Sequence, residues 1–137
     1  MTNPTLLQRA KKDLQLSQNI LRNAQDELDY EISGYHLQQA LEKTMKFYME
    51  IKGVPYRFVH DIAILFDTMD KANLSPPEWI FENSALLSSY ESKTRYGNNL
   101  VVVKRELTHF QSLTEQYLAH VESQTITDTP GPFSPLH

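Results

Sequence analysis

Four polar residues fall along one flank of a strongly helical segment: His36, Gln39, Lys43 and Lys46, at steps of three, four and three. That spacing stacks side chains on one helix face. Two cations, an imidazole and an amide in a row suit a rim that binds phosphate or a partner helix. They also suit a solvated face with ordinary ion pairs, and the pattern alone favours that plainer reading. Glu42 lies four residues before Lys46, a favourable intrahelical pair of about 0.3–0.5 kcal/mol.

Arg95-Tyr96 is the second constellation. An arginine is permanently charged and presents a fork of donors matched to phosphate, and a tyrosine beside it can stack on a base or pack under the backbone. A structural Arg95 paired with Glu42, Asp61 or Glu91 is the competing reading.

Other groupings point to less. His60-Asp61 suggests metal-dependent phosphoester chemistry, but the remaining histidines (His36, His109, His120 and His137) supply no matching spacing. A helix start with Asp61 in its first turn accounts for the pair more simply. Glu106 and His109 have the Glu-x-x-His spacing of di-iron bundles, where two copies and two further glutamates are needed. The chain has one copy. It contains no Gly-rich phosphate loop and no Gly-x-Ser-x-Gly elbow, so neither a cofactor nor a metal is expected.

The elements that position these residues follow from hydrophobic periodicity. Leu7, Ala10, Leu14, Ser17, Leu21, Ala24 and Leu28 alternate at three and four, predicting a helix over about Pro4 to Leu28. A second begins near Tyr30, carries Leu37, Ala40, Leu41, Thr44, Met45, Tyr48 and Ile51, and stops at Gly53 before Pro55. Gly34 inside it costs about 1 kcal/mol against Ala, which suggests a close helix crossing or an irregular start. A third helix is expected from about His60 to Lys71. A fourth is expected to open at Ser75 and Pro76, with Ser75 and Glu78 forming a capping box, and to run towards Ser92. After a turn at residues 95–99, the stripe Leu100, Val103, Leu107, Phe110, Leu113 or Thr114, Tyr117 and Val121 predicts a final helix. The tail from Ser123 holds three prolines without periodicity and is expected to be a flexible extension, or an arm that orders only against a neighbouring subunit.

Composition agrees with one helical domain. The 137 residues include no cysteine, which excludes disulfides, thiolate nucleophiles and cysteine-bound zinc. A net charge of -4 argues against nonspecific nucleic-acid binding over the whole surface while allowing a local basic patch. The longest aliphatic run, Leu100 to Val103, is far short of the roughly 20 residues a membrane span needs. Residues 1–10 do not resemble a signal peptide, so a cytoplasmic location away from membranes is expected.

Three stretches together resemble the HEPN family: Tyr35-His-Leu-Gln-Gln-Ala-Leu-Glu-Lys-Thr-Met-Lys, His60-Asp61-Ile62, and Tyr90 through Arg95-Tyr96. The resemblance covers about residues 5–122. It implies an all-α, four- to five-helix up-and-down bundle over residues 1–122, with the tail at 123–137. It also implies a homodimer of the kind found in toxin–antitoxin and defence systems, often beside a minimal nucleotidyltransferase. Many members are metal-independent RNases with an Arg-x4-6-His motif. Here Arg95 matches the arginine, but the positions where its histidine belongs hold Leu100, Val101 and Val102. Val59 and Gly97 are smaller departures, standing where Thr or Ser, and Pro, are usual in the family.

The expected function is therefore a binding module for a nucleotide, RNA or a nucleotidyltransferase partner, with Arg95, Tyr96, Lys43, Lys46, Gln39 and Glu42 as ligand-binding residues. The alternative is an RNase that combines Arg95 with a non-standard histidine, His36, His60 or His109.

Overall fold

The computed structural model describes residues 5–91 and 102–128, with side chains described as far as residue 125. Six helices and no strand are present among these residues. Helix α1 spans Leu6–Arg22, α2 Glu27–Ile51, α3 Ile62–Lys71, α4 Glu78–Glu82, α5 Ser84–Ser89 and α6 Lys104–Asp128. The chain is thus the all-α bundle that its periodicity predicts. No helix of the described residues is long and apolar enough to cross a membrane.

Helix α1 opens on a reciprocal capping box. The Gln8 backbone N–H donates to Thr5 Oγ1 at 3.1 Å, and the Thr5 N–H donates to Gln8 Oε1 at 2.8 Å. The helix ends at Arg22, six residues before the expected Leu28. Asp26 instead caps α2, accepting from the Asp29 N–H at 2.9 Å. Leu28 therefore lies in the first turn of α2 and is 61% exposed. The apolar stripe continued by chance across a turn that the capping residue defines.

Helices α1 and α2 run antiparallel and approach closely where their small residues meet. Ser17 Oγ donates to the Ser33 carbonyl and Ser33 Oγ to the Ser17 carbonyl, each at 2.8 Å. From α6, Gln111 Nε2 donates to Ser17 Oγ at 2.8 Å. This tie is buried and its hydroxyls are all bonded, so it fixes the register of three helices without leaving an unsatisfied polar group there.

Gly34 follows directly. A Cβ at this position would lie 3.2 Å from two ring carbons of Tyr90 and 3.5 Å from Leu107. The close approach expected at Gly34 is thus made by an aromatic ring. Burial, with Glu106 nearby, holds the Tyr90 hydroxyl well above its ordinary pKa.

The third helix buries Ile62, Leu65, Phe66 and Met69 as predicted. It begins at Ile62, and Asp61 is its N-cap, accepting from Ala63 N–H at 2.9 Å and Ile64 N–H at 3.3 Å. The expected capping box at Ser75 is absent. Asn73 and Ser75 both have positive φ, 61° and 51°, so the chain reverses there, and an N-cap needs extended backbone. The helix starts instead at Glu78, and Asn83 divides the predicted fourth helix into α4 and α5.

The last helix buries Leu107, Phe110, Thr114, Tyr117, Leu118 and Val121. Ahead of it Val102 is buried, whereas Val103 is exposed. The helix runs to Asp128, so the boundary expected after Glu122 falls inside it.

Candidate functional site

Helix α2 carries polar residues on both flanks of its apolar stripe, and each flank is organised by one carboxylate. The four residues read as a single row divide between them. On the α1 side, Asp13 receives His36 Nδ1 on Oδ1 at 2.9 Å and the Lys43 ammonium on Oδ2. On the α3 side, Glu42 accepts from Lys46 Nζ at 2.8 Å, from His60 Nδ1 at 2.9 Å and from Gln38 Nε2 at 3.0 Å. Gln39 belongs to this second group, since its Nε2 donates to Gln38 Oε1 at 2.7 Å.

The solvated-face reading does not describe these pairs. The side chains of Glu42 and Lys46 are only 5% and 10% exposed, so this is a buried ion pair, and its geometry must compensate for lost hydration. Gln38 supplies the further hydrogen bond and also reaches the His60 carbonyl at 3.3 Å. Lys46 lies 5.8 Å from the centre of the Tyr56 ring, a cation–π contact over the same cluster.

His60 differs from its partners because its side chain is 66% exposed. An ionised Glu42 beside Nδ1 requires that nitrogen to carry the proton. Nε2 is then free to accept a proton when the ring is neutral and to donate one when it is charged. No described residue bonds Nε2. The arrangement can bind an anion or move a proton, with Glu42 fixing the tautomer.

His109 is exposed on α6 and lies beside the Phe110 ring at 5.6 Å. With Arg105 and Glu106 it lines a shallow hollow of about 280 Å³, separate from both carboxylate clusters. Among the described residues no group of three or more potential ligands could hold a metal. Arg95 and Tyr96 lie outside the described residues, as do Leu100 and Val101.

Sequence reasoning missed Asp13, Gln38, Tyr56 and Phe58. Two had a visible signal: Gln38, Glu42 and Lys46 repeat at intervals of four, and Asp13 stands between Ala10 and Ser17 in the apolar register of α1. Tyr56 and Phe58 sit in the α2–α3 connection, where periodicity carries no information. The Tyr56 hydroxyl donates to Glu50 at 2.7 Å. Burial first, then that hydrogen bond and the charge of Glu50, push its pKa up to about 12.

Comparison with curated proteins and with solved structures returned no match. The family model described as the HEPN domain matches residues 4–123, which span α1 to α5 and all but the last five residues of α6. The chain therefore belongs to the HEPN domain family.

Proposed function

We propose that this HEPN domain is a binding module that works as a homodimer and holds a nucleotide or an RNA strand, without acting as a metal-independent RNase. Arg95, Tyr96, Lys43 and Gln39 contribute the binding surface, and the buried Glu42–Lys46 pair supports it from within. A minimal nucleotidyltransferase is the protein partner this reading favours.

One observation carries the absence of cleavage. Val102, the last place where the Arg-x4-6-His motif could put its histidine, is buried among aliphatic and aromatic side chains. RNA cleavage without a metal needs a group that moves protons at the 2′-oxygen and the leaving oxygen, worth about 10²–10⁴ in rate. An isopropyl group in a core does neither.

A second reading, RNase activity through a non-standard histidine, is favoured for His60 over His36 and His109 by the Glu42 hydrogen bond and the exposed ring. A single experiment separates the two readings. Labelled single-stranded RNA is incubated with wild type, Arg95→Ala and His60→Ala in the presence of EDTA, with binding and cleavage read on the same gel. The binding reading expects retarded, intact RNA and weaker retardation by Arg95→Ala. Cleavage that disappears in Arg95→Ala or His60→Ala establishes the RNase instead. Sedimentation equilibrium of the same protein tests the dimer.

A further inference from the structure

The α2–α3 connection presents an aromatic side chain in a way that folding does not require. The Val59 N–H donates to the Arg57 carbonyl at 2.9 Å, closing a three-residue turn with Phe58 at its tip. Phe58 is 93% exposed, although a phenylalanine in a domain of this size ordinarily finds cover. Its ring is held edge-to-face against Tyr56, with centroids 6.1 Å apart and planes at 69°. Tyr56 is in turn anchored by Glu50 and by the Lys46 ammonium. The platform is thus braced from beneath by the same cluster that orients His60.

The flanking groups are polar. Arg57 is exposed and has no ion pair among the described residues, and His60 offers its unbonded Nε2. The carboxylates along the segment are engaged already: Glu50 by Tyr56, Asp61 by the start of α3 and Glu42 within its cluster. Val59 packs towards the core. A lone exposed ring flanked in the chain by Arg57 and His60 lacks the contiguous apolar area of a protein-docking patch. It does match the requirement of an unpaired base, a face to stack on with a guanidinium and an imidazole on neighbouring residues.

We infer that Phe58, braced by Tyr56, is a stacking platform for a nucleobase, with Arg57 and His60 facing the attached phosphate. This rests on the nucleotide-binding reading above and locates it on a segment that reading did not use. The chemistry is shared by a free nucleotide and by a base in a single strand.

The test is fluorescence anisotropy of a labelled oligoadenylate with the full chain, with unlabelled AMP and ribose 5-phosphate as competitors. Phe58→Ala is expected to weaken binding by roughly 5- to 150-fold, the range of one lost stack. Arg57→Ala is expected to lower the slope of log affinity against log salt by about 0.7, one phosphate contact on a single strand. Lys12→Ala, at an exposed position on α1, is expected to change nothing, and circular dichroism should show all variants folded.

Competition by AMP identifies a free-nucleotide site, whereas binding of the oligonucleotide alone identifies a strand site. Ribose 5-phosphate competing as well as AMP removes the stacking role and overturns the inference. RNA binding unchanged in Phe58→Ala overturns this site alone and leaves the function proposed above standing. Failure of both the oligonucleotide and AMP to bind wild type overturns the two together.

Discussion

Helix α2 holds two clusters with the same titratable members, each one carboxylate with one lysine and one histidine, yet they do different things. Around Asp13 of α1 both partners come from α2, and all three side chains are largely covered, His36 being 24% exposed. That cluster fastens α1 to α2. Around Glu42 the carboxylate and lysine are more deeply buried, while the histidine comes from a connecting segment and stands out in solvent. The second cluster therefore sets up an accessible imidazole on a rigid base. Chemical content does not separate a structural clamp from a candidate site. The element that supplies the last member does.

The largest expected effect comes from breaking the more buried pair. Glu42→Ala strands the Lys46 ammonium and releases Gln38 and His60, and it should cost about 3–5 kcal/mol in a urea titration. Asp13→Ala should cost less, about 1–3 kcal/mol, because Lys43 and His36 can recover water. Equal losses would mean that the two clusters do not differ in burial as described.

The histidines sharpen the contrast. His36→Ala removes a half-buried contact between helices and should lower stability by about 1 kcal/mol. His60→Ala should stay within about 0.5 kcal/mol, as surface changes usually do, while weakening the RNA retardation. A His60 variant as destabilised as the His36 variant would make the second cluster a structural clamp too.

The last effect is confined to high pH and includes the Glu42 side. Burial and Glu50 raise the folded pKa of Tyr56 to about 12, above the ordinary value near 10. The folded state thus holds its phenolic proton longer than the unfolded state. This contribution is complete below pH about 10 and is lost as pH rises through about 12. Burial also raises the hydroxyls of Tyr90 and Tyr117, so all three act in the same direction. Denaturation midpoints measured across this range should fall, and Tyr56→Phe should make the fall shallower.

Much of the architecture was legible in the sequence. The long helices, the inner face of α3, the stop at Gly53 and the close approach at Gly34 all follow from periodicity and from glycine's missing side chain. Helix ends were less legible. The stripe from Leu7 to Leu28 runs through a turn because a periodic pattern does not register its own interruption, and only Asn23 and Asp26 mark it. Ser75 and Glu78 had the spacing of a capping box, but two residues with positive φ turned the backbone away from it.

The candidate site was half legible. Lys43, Lys46, Glu42, His36, His60 and Gln39 were singled out by type and spacing, and all six lie in the two clusters. What the row of four concealed was its division between two carboxylates. Lys43 meets an aspartate 30 residues away, and Glu42 meets a histidine 18 residues away. The sequence by itself determined the class of fold, the faces its helices bury and the absence of a histidine at the motif spacing, because these are set by neighbours within a turn or two. Only the tertiary structure decided which carboxylate Lys43 and the two histidines join, which imidazole stays in solvent and that Phe58 stands clear of the core. Those outcomes depend on helix packing, which brings together residues that no local spacing relates.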